Sequence, residues 1–217
     1  MAEHDHNQGI DNATHSFDQG YWTEHWATRR GGPDPESAGG PNPHLVREVQ
    51  GLKPGTALDA GCGAGAEVIW LAQQGWQVTG LDISSEALEV AAERAAEASV
   101  SSKIDWVEAD LTKWRPEEPF DLVVTHYAHA TLPQLGLYER LSRWVAPGGT
   151  LFIVNHLPNS ATAHSGEHAP GHATTTPDDV VAILSEPEWT IDVARADVRD
   201  VGTVQLHDVI VRARRSG

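Results

Sequence analysis

Hydrophobic positions in this chain fall in short runs separated by longer amphipathic stretches. The runs "TALDA" at 56–60, "QVTGLD" at 77–82, "IDWVEAD" at 104–110, "FDLVVTH" at 120–126 and "TLFIVNH" at 150–156 read as five strands. Between them, residues 67–74 predict a helix ended by Gly75, and 85–98 an alanine-rich helix capped by Ser84 or Ser85. Residues 135–145 predict a third helix, running into "PGG" at 147–149. A short helix over 177–184 follows, with Thr176 as its cap, and two alternating runs at 189–198 and 203–214 close the chain. Strand alternating with helix predicts an α/β fold: a Rossmann-like, mostly parallel sheet with helices on both faces. The last two runs have no helix between them and predict an antiparallel hairpin.

The N-terminal part lacks this rhythm. Residues 1–18 are polar and aperiodic and predict a disordered tail. Residues 19–43 read as a lid segment: a short aromatic helix at 21–30, "YWTEHWATRR", then a glycine- and proline-rich loop at 31–43. The main domain is expected over 44–217, entered by a helix at 44–50. One loop, 157–177, is long enough inside a compact domain to be functional or disordered.

Composition narrows the partners. A length of 217 residues suits one domain with a sizeable core. The net charge of −16 makes nucleic acid and anionic membrane surfaces poor partners. No apolar run approaches the ~20 residues a membrane helix needs, and the first residues lack the basic-then-apolar pattern of a signal peptide. A single cysteine, Cys62, excludes an internal disulfide and fits a reducing cytoplasm. The pattern carries no signal for an oligomeric state.

Candidate chemistry centres on residues 58–84, "LDAGCGAGAEVIWLAQQGWQVTGLDIS". "GCGAGA" at 61–66 fits G-x-G-x-x-A between a strand and a helix, and Asp82 ends the next strand about 20 residues on, where a carboxylate can hold ribose hydroxyls. That much permits NAD. Asp59, two residues before the first glycine, would repel a diphosphate and favour a ligand carrying positive charge. S-adenosylmethionine has a sulfonium, an ammonium and a ribose, and no phosphate.

With these residues in view, the chain resembles the class I S-adenosylmethionine-dependent methyltransferases over residues 42–214. The resemblance rests on "LDAGCGAG" at 58–65, "VTGLDIS" at 78–84, "VEADL" at 107–111, "FDLVVTHYAH" at 120–129 and "VAPGGTLFIV" at 145–154, in that order. It implies a seven-stranded sheet with the last strand antiparallel, S-adenosylmethionine as cofactor and S-adenosylhomocysteine as product. It also implies roles. Asp59, Gly61, Gly63 and Gly65 would border the methionine part, with Cys62 a small residue packed in the same turn. Asp82 would bind the ribose and Ile83 pack on the adenine; Asp110 would accept from the adenine amino group, beside Leu111. Thr125 and His126 would lie under the methionine end and face the acceptor.

The stretch 67–84 and the W-x-x-x-W spacing of Trp22 and Trp26 resemble the tellurite-resistance and thiopurine methyltransferase branch, which implies small soft acceptors: thiols, or selenium and tellurium species. "THYAH" at 125–129 is unlike the N-P-P-Y element of many DNA and protein amine methyltransferases. His126, with Tyr127 beside it, is the expected catalytic group, and Trp22, Trp26, His129 and His156 are expected around the acceptor. His164, His168 and His172 share a four-residue spacing, but Gly166, Pro170 and Gly171 interrupt any helix there, so no metal is assigned. The rival readings are an NAD-dependent oxidoreductase and a catalytically silent cofactor-binding or interaction protein.

Overall fold

Parity along the strands decides which helices cover which face of the sheet. The computed structural model describes residues 16–27, 40–158, 173–185, 187–201 and 204–217. Its strands are β1 Thr56–Ala60, β2 Gln77–Asp82, β3 Ile104–Glu108, β4 Phe120–His126, β5 Val145–His156, β6 Trp189–Val201 and β7 Val204–Arg215. They form one sheet in the order β3-β2-β1-β4-β5-β7-β6. β7 runs antiparallel to both β5 and β6, and the pairs among β1 to β5 are parallel.

Helices α1 Gln19–Ala27, α2 Pro43–Val49, α3 Ala66–Gln73, α4 Ser85–Glu97, α5 Gln134–Ser142 and α6 Pro177–Ala182 surround it. Leu122 and Val124 of β4 face one apolar cluster with Leu45 of α2, Val68 and Leu71 of α3 and Leu88 of α4. Val123 faces the other, with Leu137 and Leu141 of α5 and Val180 of α6. Side chains on both faces of β4 therefore have helices to bury against, which is why its run 122–125 is buried without alternation.

Most element boundaries match the sequence pattern, and the differences have local causes. Ser84 caps α4, its hydroxyl accepting the Ala87 N–H. Thr176 and Asp179 form a reciprocal capping box on α6. β3 stops at Glu108 rather than 110, because Asp110 starts a turn instead of continuing the ladder. The third predicted helix ends at Ser142, and β5 begins as early as Val145, which pairs with Phe120 before a register shift. The loop 31–43 falls mostly outside the described residues, as do 159–172, including His164, His168 and His172. Among the described residues, no helix is long and apolar enough to cross a membrane.

Candidate active site

The strand order reverses between β1 and β4, and a parallel sheet opens a crevice beyond the carboxyl ends of its strands at such a point. Here the chain leaves β1 through the glycine turn. The N–H groups of Gly61 and Cys62 both donate to the Leu81 carbonyl, at 2.8 and 3.0 Å, which ties the turn to β2. Gly61 has φ +79°, and a Cβ there would overlap the Ala128 side chain. Gly63 has φ +49°, and its Cβ would stand 2.8 Å from Cζ2 of Trp26. Both positions thus need glycine for conformation and for close approach. Gly65 caps α3, and Arg94 of α4 donates to the Ala64 carbonyl at 2.8 Å, holding the turn from the other side.

Two carboxylates flank this turn in different states. Asp82 is 8% exposed, and each oxygen already has a backbone donor: Gly63 N–H to Oδ2 at 2.8 Å and Ser84 N–H to Oδ1 at 3.0 Å. Burial raises its pKa against the pull of those donors. Asp59 is 1% exposed, and its Oδ2 has no hydrogen-bond partner. Burial pushes the Asp59 carboxyl up to about 6; His126 opposes the rise, while Glu67 and Asp82 add to it. Burial likewise lifts the Cys62 thiol well above its usual range, so it stays a neutral packed thiol.

Beyond β2 and β3 lies a cavity of about 430 Å³, walled by Ile83, Ala109, Asp110 and Thr112 on the sheet side and by Phe17 and Gln19 from the N-terminal segment. This is ligand-sized. Asp110, expected to meet a ligand, is engaged locally: Oδ1 accepts from the Thr112 N–H and hydroxyl, and Oδ2 pairs with Lys113 at 2.9 Å. Leu111 is buried in the core beside it. The expected tail boundary at residue 18 shifts. Phe17 is 5% exposed, stacked on Trp22, with its centroid 4.9 Å from the His129 ring. Ser16 to Asp18 therefore belong to the aromatic segment; residues 1–15 lie outside the described residues.

The segment after β4 differs most from expectation. Thr125 is buried and its hydroxyl donates to the Ala60 carbonyl at 2.9 Å, which braces β4 against β1. His126 turns inward. Its side chain is 7% exposed, Nδ1 lies 3.9 Å from Asp59 Oδ1, and neither ring nitrogen has a hydrogen bond. Tyr127 sits at φ +51°, and its hydroxyl accepts from Arg199 Nη2 at 2.9 Å and Asn42 Nδ2 at 3.3 Å. Burial and the nearby Asp208 hold this phenol well above its ordinary pKa, which unsuits it to proton transfer. His156 is buried and stacks on Tyr127 at 4.4 Å. His129 Nδ1 lies 2.9 Å from Gln134 Oε1.

Behind Tyr127 stands a polar group that the sequence reading passed over. Asp208 of β7 is fully buried and meets Arg199 Nε at 2.7 Å and His44 Nε2 at 3.1 Å. Burial raises the Asp208 pKa, but His44 and Arg199 outweigh it and hold the group below its usual value. Asn42 joins this network to the glycine turn's helix, its N–H donating to Glu67 Oε1 at 2.9 Å. A signal existed: Leu206, Asp208 and Ile210 share strand parity, so an acid lay among inward apolar positions.

The arrangement offers a glycine turn with an unsatisfied buried carboxylate, a second carboxylate at the next strand end, and an aromatic segment across the opening. A methyltransferase-domain family model matches residues 57–149. The chain is 31% identical over 175 residues to thiocyanate methyltransferase 1 of Brassica oleracea, covering 76% of this chain and 73% of that protein. It is 38% identical over 115 residues to trans-aconitate 2-methyltransferase of Streptomyces avermitilis, covering 50% of this chain but only 40% of that protein's length. Among solved structures it superimposes at TM-score 0.65 and 26% identity on one described as "Conversion of a Disulfide Bond into a Thioacetal Group during Echinomycin Biosynthesis", over 89% of this chain and 91% of the other.

Proposed function

The chain belongs to the class I S-adenosylmethionine-dependent methyltransferases, and from that premise we propose that it methylates a small acceptor bearing a soft nucleophile: a thiol, or a selenium or tellurium species. The cofactor supplies an electrophilic methyl group on a sulfonium centre. The observation that carries the cofactor half of this reading is the buried Asp59 Oδ2, without a partner at the mouth of the glycine turn. A buried carboxylate with free acceptor capacity fits an ammonium and opposes the diphosphate of NAD. Asp82 keeps lone pairs beyond its two backbone donors for ribose hydroxyls. Ile83 and Ala109 line the cavity where an adenine ring would pack, while Asp110, already bonded, supports the turn.

The chain's own part is alignment and exclusion of water. Trp26 covers Gly63, and Phe17 lines the cavity, so we assign the described residues 16–27 as a lid over cofactor and acceptor. The acceptor then lies against this lid and the segment 128–130 that follows β4; most of the loop 157–177 lies outside the described residues. A free thiol titrates near ~8.5, so enough thiolate is present at neutral pH for a site that mainly positions it. The soft-acceptor reading draws support from the thiocyanate methyltransferase and from the sulfur chemistry named for the solved relative. The net charge of −16 argues against nucleic acid as substrate, and the one buried cysteine suits a cytoplasmic setting.

A turnover screen tests this: S-adenosylhomocysteine formation is measured with simple thiols, thiocyanate, selenite, tellurite and trans-aconitate. Product with a sulfur, selenium or tellurium acceptor is expected. Turnover with trans-aconitate alone would replace the soft acceptor by a carboxylate. Cofactor binding with no turnover on any of them would favour the silent binding protein.

A further inference from the structure

Asp59 and His126 stand on neighbouring parallel strands, with Asp59 in register with Val124. Their side chains are 2% and 7% exposed and 3.9 Å apart. Asp59 Oδ2 and both imidazole nitrogens are buried without hydrogen bonds. Native structures rarely leave three such atoms unsatisfied side by side, so a partner from outside the chain is the natural explanation. We propose that His126 acts on the cofactor side: in the cofactor-free chain the Asp59 carboxyl beside it keeps a proton in mildly acidic solution, and the α-ammonium of S-adenosylmethionine takes that proton's place on binding. The inference rests on the methyltransferase reading and reassigns His126 from acceptor base to positioning residue for the cofactor's amino group.

The surroundings favour a displaceable proton over a fixed cation. Glu67 on α3 and Asp82 at the end of β2 add negative charge around Asp59. Cys62 in the glycine turn and Tyr127 after β4 are held neutral by burial. The Phe152 ring of β5 lies 5.8 Å from the imidazole, and His156, at the end of the same strand, stacks on Tyr127. Arg199 is beyond Tyr127 and engaged with Asp208. Among the described ion pairs Asp59 therefore has His126 as its partner, and a carboxylate in this setting needs a proton nearby until a cation arrives. When the ammonium binds, its N–H groups would donate to the Asp59 carboxylate beside the His126 ring, and the proton would depart to solvent.

The test uses the full chain and S-adenosylhomocysteine, which carries the same amino acid end. Calorimetric titration in two buffers of different ionisation enthalpy counts the protons exchanged on binding. The expected result is release of about half a proton per ligand near pH 6, rising towards one near pH 5 and falling to none by pH 8.5, with affinity dropping about tenfold per pH unit below about pH 5. Because His126 opposes the rise in the Asp59 pKa, His126→Gln should move that acid limb to higher pH; His126→Asn serves as the second variant should the first fold poorly. Binding with no buffer dependence from pH 5.5 to 8.5, or an acid limb unmoved in a folded variant, overturns the proposal and leaves the methyltransferase reading standing. Absence of binding at every pH overturns both.

Discussion

The Asp82 carboxylate accepts the Gly63 backbone N–H at 2.8 Å, so the residue that would hold the ribose also holds the glycine turn. Its second oxygen accepts from Ser84, the cap of α4. The two jobs make Asp82→Ala a double lesion. Affinity for S-adenosylhomocysteine should fall by about 2–3 kcal/mol for lost charge-assisted bonds, and the unliganded chain should lose about 1–3 kcal/mol through orphaned N–H groups. Calorimetry and urea unfolding read the two losses separately. A folded variant with unchanged affinity contradicts the ribose assignment; unchanged unfolding contradicts the turn-bracing role.

Asp59→Asn should stabilise the cofactor-free chain while crippling binding. The folded carboxyl sits near 6, above its unfolded value of 3.8. Stability from that group is full below 3.8 and is lost as pH rises through about 6. Replacing it with a neutral amide removes the loss, so the variant's advantage should grow from about pH 4 to pH 6, be complete above about pH 6, and vanish below pH 3.8. An advantage on the order of 1–3 kcal/mol at pH 8 is expected. Melting temperatures of both proteins at pH 4.5 and 8 check it. A variant less stable at pH 8 than at pH 4.5, relative to wild type, runs against this.

Arg199→Leu should be costly. It leaves Asp208 fully buried with His44 as its remaining basic partner and strips Tyr127 of its 2.9 Å donor. Breaking a buried pair by removing one partner costs about 3–5 kcal/mol. Asp208's pKa is held low, so its contribution is present above pH 3.8 and fades as pH falls through the folded value. The difference between variant and wild type should therefore narrow on acidification below pH 4. Chemical unfolding across pH 3 to 7 gives the answer, and a constant difference would detach Asp208 from the effect.

The aromatic segment gives a truncation prediction. A chain beginning at Ser16 should bind S-adenosylhomocysteine as the full chain does, because Phe17, Trp22 and Trp26 are retained. One beginning at Pro43 should bind at least about tenfold more weakly, which corresponds to ~1.4 kcal/mol. Tryptophan fluorescence should respond to the ligand in the first and respond less in the second. Equal affinity in both would remove the lid.

Strand runs and caps made the sheet legible in the sequence, since burial on both faces leaves little ambiguity in runs such as 120–126. The glycine turn was legible too, because Gly61 and Gly63 mark close approach. The partners of the site's polar side chains were not. The sequence shows that Thr125, His126 and Tyr127 follow a strand, but whether each meets a ligand depends on strand pairing: Thr125 reaches Ala60, His126 reaches Asp59, and Tyr127 reaches Arg199, 72 positions away. Asp110 shows the same limit, since its Thr112 turn is a local competitor for the carboxylate. Phe17 was lost among polar neighbours because a single aromatic residue carries no period.

An unpartnered buried carboxylate at Asp59 should make this crevice a site for a cationic amino acid end and not for a diphosphate. Calorimetric titration of S-adenosylhomocysteine and of NAD into the wild-type chain and Asp59→Asn at pH 7.5 tests it most directly. Roughly micromolar binding of S-adenosylhomocysteine by the wild type is expected, with a loss of at least about tenfold in the variant and no NAD binding by the wild type. NAD binding to the wild type, or equal S-adenosylhomocysteine affinity in the two proteins, would contradict it.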